Sequence, residues 1–330
     1  MTAYMKAGWA ALAIGLAFAP ASGVFAQDRI AYGSTAIESV HYTYAVSAAK
    51  AINETAGSKM NVTVIATGGA VDNLARLARG QIQMGLGTFE TVYQAYKGID
   101  KFEGKAQPKL RSLWVHSLAI QSYVVRADSG VKDIAGLNGK KFTAGQRGSA
   151  TENMVQQILA AVDVKPEYYV ATLSDAVEAV RNNRSIGYVK AGSGLGLDGT
   201  TLELRTLTPI NVLSFTPAQV NTVKSRFPFV TFVTTKPGDI EGVGAVTMPI
   251  QSIGEFAYSD TLTDAQVETI LDGIFKGQSI QGAAFPEIKN ANIAENTMSG
   301  TLVPLHTGAV KYYKKKGVTI PDGLIPPEAK

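Results

Sequence analysis

Gly33-Ser34-Thr35-Ala36-Ile37-Glu38-Ser39-Val40-His41-Tyr42, followed about thirty residues later by Thr67-Gly68-Gly69-Ala70, decides the reading of this chain. Each stretch has the form of a turn between a strand and a helix. Each ends in small or hydroxyl residues, the types found where a helix opens. Two such turns at one edge of a sheet aim unpaired backbone N–H groups at a common point, which holds a small anion without a metal. The pattern therefore favours gripping a small molecule over transforming one.

Outward from these turns, the chain alternates. Strands are expected at Arg29–Gly33, Met60–Ala66 and Met84–Gly87, with helices at Tyr42–Thr55, Ala70–Arg79 and Thr88–Tyr96. Strand–helix alternation with short turns argues for a mostly parallel sheet covered by helices. The pattern restarts with strands at Leu110–Trp114 and Gln121–Arg126, a short helix at Val131–Leu137, a strand at Lys141–Ala144 and a helix at Ala150–Ala161. Tyr168–Ala171 reads as extended, Ser174–Asn182 as helix, and Ile186–Ala191, Leu202–Thr206, Val230–Val233 and Gly244–Ile250 as strands. Helices are expected at Thr263–Phe275, Ile288–Thr297 and Thr307–Lys315. The last three helices have no strands of their own and must cover one of the two α/β units. The chain is expected to cross between units near Ser117–Val125 and to return near Val243–Ile250. This gives an α/β protein of two lobes: residues 27–120 plus 248–330 form lobe one and residues 121–247 lobe two, with hinge strands and a cleft between them.

Composition narrows the class. Met1–Lys6, an apolar run from Ala7 to Phe18 and small residues to Ala26 read as a cleaved secretory signal, 1–26. The run is short for a membrane span, which needs ~20 apolar residues. No later segment is long and apolar enough to cross a bilayer. The chain has no cysteine, so no lipid anchor precedes the expected mature start and stability rests on ordinary cores. That description fits a large periplasmic protein. The formal net charge of +4 over 330 residues is too weak to argue for nucleic acid.

Four motifs carry a family resemblance, and together they span essentially the whole mature chain. They are Gly33 through Tyr42, and Val64-Ile65-Ala66-Thr67-Gly68-Gly69-Ala70-Val71-Asp72-Asn73-Leu74. The third runs from Val124-Val125-Arg126-Ala127-Asp128-Ser129-Gly130 through Leu137-Asn138-Gly139-Lys140-Lys141 to Gly145-Gln146-Arg147-Gly148-Ser149-Ala150-Thr151. The fourth is Pro304-Leu305-His306-Thr307-Gly308-Ala309 with Tyr312-Tyr313 and Gly317. In this order and spacing the chain resembles the TAXI group of extracytoplasmic solute receptors, the binding component of one class of TRAP transporter. The resemblance implies a type II periplasmic binding fold that closes on its ligand and delivers it to membrane subunits driven by an ion gradient. It also implies small carboxylate ligands, including glutamate, glutamine and 2-oxoacids. The first loop departs from the family pattern: Glu38-Ser39 stands where Gly-Gly is frequent, and of the usual Thr-Tyr-Tyr-Pro only Tyr42 matches. A carboxylate there repels an anion or pairs with an ammonium, which leaves an amino-acid-like ligand open.

The candidate ligand residues follow from the turns. Ser34 and Thr35 offer hydroxyl and N–H donors to a carboxylate, or simply cap the next helix. Thr67, Gly68 and Gly69 let backbone approach a ligand under a favourable helix field, or only make a tight turn. Thr88 and Phe89 end the third strand in the same geometry, and Phe89 either walls the ligand or fills the core. Arg147, Ser149, Ala150 and Thr151 are the second lobe's counterpart; Arg147 forks a carboxylate or stays in solvent. Tyr188 and Lys190 stand at a strand end facing the cleft, where Lys190 is a counter-charge or a snorkelling side chain. Tyr42 stacks on or hydrogen-bonds the ligand, and Glu38 stands near the pocket. His41, at the same helix start as Tyr42, either meets the ligand or is a structural hydrogen-bonding side chain, and His306 reads as structural. Thr67, Ser149 and Tyr188 are expected to line one shared cavity.

Other chemistry is not signalled. The three histidines are far apart and no metal or cofactor is expected. Gly192-Ser193-Gly194-Leu195-Gly196 lacks the dinucleotide spacing, and no P-loop or nucleophile elbow is present. The basic run Lys311–Lys316 reads as a solvated last helical turn. The expected protein is a monomeric, non-enzymatic receptor. A periplasmic enzyme on the same fold, using His41 with Glu38, and a ligand sensor are the alternatives.

Overall fold

The computed structural model describes Met1, residues 27–192 and residues 194–330. Apart from Met1, the expected export signal lies outside the described residues. The first lobe opens with β1 (Asp28–Gly33), α1 (Val40–Ala56), β2 (Met60–Ile65), α2 (Ala70–Ala78), β3 (Met84–Thr88) and α3 (Phe89–Lys97). β1 runs parallel to both β2 and β3. Ser39 caps α1 by accepting the N–H of His41 at 3.3 Å, as its place before the helix predicts. Asn73, fully buried on α2, sets this edge. Its amide nitrogen lies 3.1, 2.7 and 2.8 Å from the carbonyl oxygens of Gly33, Ser34 and Leu86, so it ties the end of β1 to β3. Gly33 must lack a side chain here, because a Cβ would stand 2.5 Å from Asn73 Oδ1.

The chain continues through β4 (Leu110–Arg126), β5 (Lys141–Thr143), α4 (Ala150–Ala161), β6 (Glu167–Tyr168), α5 (Leu173–Arg181) and β7 (Gly187–Ala191). It then forms α6 (Gly199–Leu207), β8 (Ile210–Val212), α7 (Pro217–Arg226), β9 (Thr231–Thr234) and β10 (Thr247–Tyr258). The strands run in the order β2-β1-β3-β10-β4-β7-β5-β6, with β8 beside β4 and β9 beside β10. β4 and β10 belong to both lobes. Leu110–Ile120 of β4 pairs antiparallel with Ile250–Tyr258, and Gln121–Val125 then pairs with β7. β10 pairs with β3 through Ile253–Phe256 and with β9 through Thr247–Ile250. The chain ends in α8 (Asp264–Lys276), α9 (Gln278–Ala284), α10 (Ile293–Gly300) and α11 (Thr307–Lys315).

The cores follow this division. Ile52, Trp114, Ile270 and Tyr313 belong to the core that α1 and the C-terminal helices share with the first-lobe sheet. Leu74, Phe89 and Phe256 fill its other side. Phe142, Val155, Ile158 and Phe215 form a separate core in the second lobe. Among the described residues no helix is long and apolar enough to cross a membrane.

Several expectations are corrected. The two strands expected between Leu110 and Arg126 are one continuous strand, because it must span both lobes. The sheet is mixed, since both crossing strands are antiparallel to each other. Leu202–Thr206 is helical within α6, not extended. Asp198 caps that helix by accepting the N–H groups of Thr200 and Thr201, and only Thr201 and Leu204 turn inward. Val131–Leu137 holds a single 3-10 turn, Ala135–Leu137. α7, α9 and β8 were not expected; α7 carries a full capping box between Thr216 and Gln219 with Pro217 at its first position.

Glu90 marks the crossing. It sits in the first turn of α3, 5 % exposed, and accepts the N–H of Ser252 on β10 at 3.2 Å. Burial pushes its carboxyl up to about 7, against hydrogen bonds from its own N–H, Ser252 and Thr88. The folded chain thus holds a proton that the unfolded chain releases above about 4.5. Stability from this group is full below that value and is lost as pH rises toward 7, by about 3 kcal/mol. Glu90→Gln keeps the shape without the charge. In urea titrations it is expected to gain stability relative to wild type between about pH 5 and about pH 8; parallel pH profiles of the two proteins would contradict this.

Candidate functional site

The ends of β1, β3 and β7 and the first turns of α2 and α4 converge between the lobes. They enclose a cavity of about 80 Å³. One water needs about 10–15 Å³ on this scale, so the space suits a compact molecule and not an extended one. Thr35, Gly68, Gly69 and Thr88 line it from the first lobe; Ser149, Ala150, Thr151 and Lys190 line it from the second. Ser39, His41, Gln146 and Gln251, which the sequence reading did not select, also reach its wall.

The other candidates stand elsewhere. Ser34 is fully buried, and its carbonyl accepts from Thr67 Oγ1 at 2.7 Å. Thr67 Oγ1 also accepts the N–H of Gly69 at 3.1 Å, so both residues join the two loops without lining the cavity. Phe89 lies in the core. The Tyr188 hydroxyl turns to Thr201 Oγ1 at 2.8 Å; of Thr67, Ser149 and Tyr188, only Ser149 is at the cavity. Arg147 is exposed and Tyr42 half-buried, both off the cavity wall. Glu38 is exposed and accepts from Ser174 Oγ at 2.9 Å. The acid–base pair of His41 with Glu38 that the enzyme alternative needs does not form: the His41 ring turns to His116 instead, at 3.3 Å.

The two facing loops are built alike. Gly68 N–H donates to Asp72 Oδ2 at 3.0 Å, four residues on. Gly148 N–H donates to Glu152 Oε2 at 2.6 Å, again four residues on. Ser149 caps α4 by accepting the N–H of Glu152 at 3.0 Å. Each loop therefore satisfies its glycine internally, and the donors left for a ligand begin with Ala70 and Ala150, whose N–H groups have no intrahelical acceptor. The loops nearly touch. Gly69 has φ +98°, and a Cβ on it would lie 3.5 Å from Ser149 Cα; one on Gly68 would lie 3.2 Å from the Arg147 carbonyl. Glycine serves here for both its backbone angle and its lack of a side chain.

Lys190 is the one charged side chain on the described part of the wall, and it is 8 % exposed. Its Nζ donates to Asp198 Oδ1 at 2.5 Å and to Thr200 Oγ1 at 3.2 Å. Asp198 is itself held by Thr201 Oγ1 at 2.5 Å, which is the hydroxyl that Tyr188 meets. Tyr188 thus supports the Lys190 counter-ion instead of touching the cavity. An ammonium carries three donors, so among the described residues one remains after Asp198 and Thr200. Among the described residues no cluster of three or more His, Cys, Asp or Glu is placed to hold a metal.

Polar contacts close the cleft beside the cavity. Gln94 on α3 donates to Gln157 Oε1 at 2.6 Å and accepts from Asn153 Nδ2 at 2.7 Å, both on α4. Glu38 and Ser174 bridge the opposite side. The Tyr93 ring lies 5.3 Å from that of Phe229. His306 caps α11 by accepting the N–H of Gly308 at 3.1 Å, far from these contacts in role.

Two lobes, two shared strands and a cleft at the strand ends define the type II periplasmic binding-protein fold. The chain belongs to the NMT1-like family, which matches residues 30–317. It is similar in structure to the periplasmic binding protein BugD (TM-score 0.51, 13 % identity, covering 89 % of this chain and 99 % of that one). MatC from Rhodopseudomonas palustris, with bound malate, superposes with a TM-score of 0.53 at 12 % identity, covering 79 % of this chain and 88 % of MatC. A TRAP periplasmic solute binding protein from Desulfovibrio salexigens, in complex with diglycerolphosphate, gives 0.50 at 12 % identity over 92 % and 91 % of the two chains. At such identities the likeness is one of fold.

The closing contacts are separable from the cavity. Gln94→Ala combined with Glu38→Ala removes hydrogen bonds worth about 0.5–1.5 kcal/mol each. The double variant is expected to show a larger radius of gyration in small-angle X-ray scattering, and an unchanged radius would show that these contacts do not hold the lobes together.

Proposed function

We propose that the protein is an extracytoplasmic solute receptor of the TAXI group. It captures a small polar solute bearing a carboxylate, or an amino acid, between lobe one (27–120 and 248–330) and lobe two (121–247). The closed form is then presented to the membrane subunits of an ion-gradient-driven TRAP transporter. Removal of residues 1–26 on export leaves a monomer in the periplasm. The four sequence motifs support the family reading, and the fold of the structural neighbours supports the two-lobed mechanism. The observation that carries the ligand class is Lys190. It is a buried ammonium at the mouth of two helix N-terminal turns, in a cavity sized for a compact solute. Such donors strengthen as closure excludes water.

The contact set proposed is Thr35, Gly68, Gly69, Thr88, Ser149, Ala150, Thr151 and Lys190, joined by His41, Gln146 and Gln251. Glu38 acts outside the cavity, as a bridge to Ser174. An enzyme on this fold requires turnover of the bound compound, which a receptor does not show.

Thermal-shift screening with short mono- and dicarboxylates and amino acids tests the reading. At a hundredfold excess over Kd, binding adds about 2.7 kcal/mol and raises the melting midpoint by roughly 5 °C. Removing the Lys190 ammonium alone strands the buried Asp198 carboxylate, so the informative variant is Lys190→Met with Asp198→Asn. Loss of one charge-assisted hydrogen bond is expected to weaken binding about 10- to 100-fold. A panel in which nothing stabilises the protein, or a double variant that binds carboxylates as well as wild type, would refute it.

A further inference from the structure

His41 stands on the cavity wall, yet its partners lead away from it into the first lobe. His41 Nδ1 lies 3.3 Å from His116 Nε2. His116 Nδ1 is hydrogen-bonded to Glu255 Oε2 at 3.4 Å, and the Tyr32 hydroxyl donates to the other carboxyl oxygen, Oε1, at 2.7 Å. The Tyr44 ring stacks on His116 at 3.8 Å. His41 is 5 % exposed, and Tyr32, His116 and Glu255 are fully buried. Among the described residues His41 Nε2 is buried without a partner, in a side chain that lines the cavity.

A neutral imidazole donates from one nitrogen and accepts at the other, so this chain has two self-consistent patterns. With a proton on Glu255, the carboxyl donates to His116 Nδ1, His116 Nε2–H donates to His41 Nδ1, and His41 Nε2–H is a donor toward the cavity. With that one proton lost, every link reverses, and His41 Nε2 turns a lone pair to the cavity. The surroundings decide between them. The groups acting on Glu255 are Tyr32 from β1, Tyr44 from α1, His116 from β4 and Tyr313 from α11; none of them is a lysine or arginine. His41 faces His116, Lys190 on β7 and Asp198. Burial holds the Glu255 carboxyl well above the usual range and pushes the His116 imidazole down to about 3. Burial, then His116 and Lys190, lower His41 as well.

We propose that Tyr32, Glu255, His116 and His41 form a buried relay that fixes the polarity of the cavity wall, with protonated Glu255 making His41 Nε2–H a hydrogen-bond donor to the ligand. This rests on the reading of the cavity as a solute site and narrows it. The ligand group against His41 is an acceptor, a carboxylate or carbonyl oxygen. An ammonium meets an N–H there and must lie toward Gln146 or Gln251, or be absent.

The test needs no ligand. Nitrogen-15 NMR of histidine-labelled protein at neutral pH reports which ring nitrogen carries the proton. The chain has three histidines, assigned by His41→Gln and His116→Gln. Infrared difference spectra of wild type against Glu255→Gln report whether that carboxyl is un-ionised; glutamine retains a donor for His116 and an acceptor for Tyr32. Expected are neutral His41 and His116, both protonated at Nε2, and an un-ionised carboxyl stretch lost in Glu255→Gln. A proton on Nδ1 of His41, a charged ring at either position, or no carboxyl band lost in the variant would overturn the relay. An empty ligand screen would instead sink the receptor reading and leave the relay standing.

Discussion

The antiparallel pairing of β4 with β10 is the constraint from which the rest follows. These strands are shared by both lobes, so every cleft residue is positioned relative to them. β10 brings Gln251 and Ile253 to the cavity and Glu255 beneath it; β4 brings His116 against the base of His41. On one side β3 is registered to β10, and on the other β7 is registered to β4. The turns that follow β2 and β5, carried on those two sides through β1 and through β7, face one another with no connection of their own. In the proposed mechanism, rotation about these two strands opens or shuts the cavity while each core stays intact.

Local chemistry within the cleft is more restrained than a pair of glycine loops suggests. Asp72 and Glu152 each consume a glycine N–H and place a carboxylate at the start of a helix. That arrangement stabilises the empty loops and lowers the positive field available to a ligand. Lys190 is likewise compensated by Asp198. A solute bound here gains from oriented donors more than from net charge. Such a site discriminates by hydrogen-bond geometry, where leaving a buried donor unpaired costs about 1–3 kcal/mol.

Much of this was legible in the sequence, for physical reasons that can be named. α4 and α11 run Ala150–Ala161 and Thr307–Lys315, the spans their caps and apolar spacing indicate. The turns at Thr67–Ala70 and Ser149–Thr151 lie at the cleft, because in a parallel α/β unit the strand ends and helix starts share one edge. What stayed hidden depended on tertiary pairing. His116 lies inside an apolar run on β4, 75 residues from His41, and nothing local marks them as neighbours. Tyr188 shares a strand with Lys190, but two residues deeper it meets Thr201 instead of the cavity. α6 reads as a strand because Leu202, Leu204 and Thr206 alternate with polar residues; the Asp198 cap, which overrides that pattern, follows a glycine-rich turn and is easily passed over.

The central claim is that this cavity holds a compact, acceptor-bearing solute through oriented donors and one ammonium. Denaturing the protein purified from its native source and identifying the released small molecule by mass spectrometry tests it most directly. The account predicts a single small carboxylate-bearing compound in near one-to-one ratio with protein. A released molecule lacking any carboxylate or carbonyl acceptor, or one too large for the cavity, would contradict it.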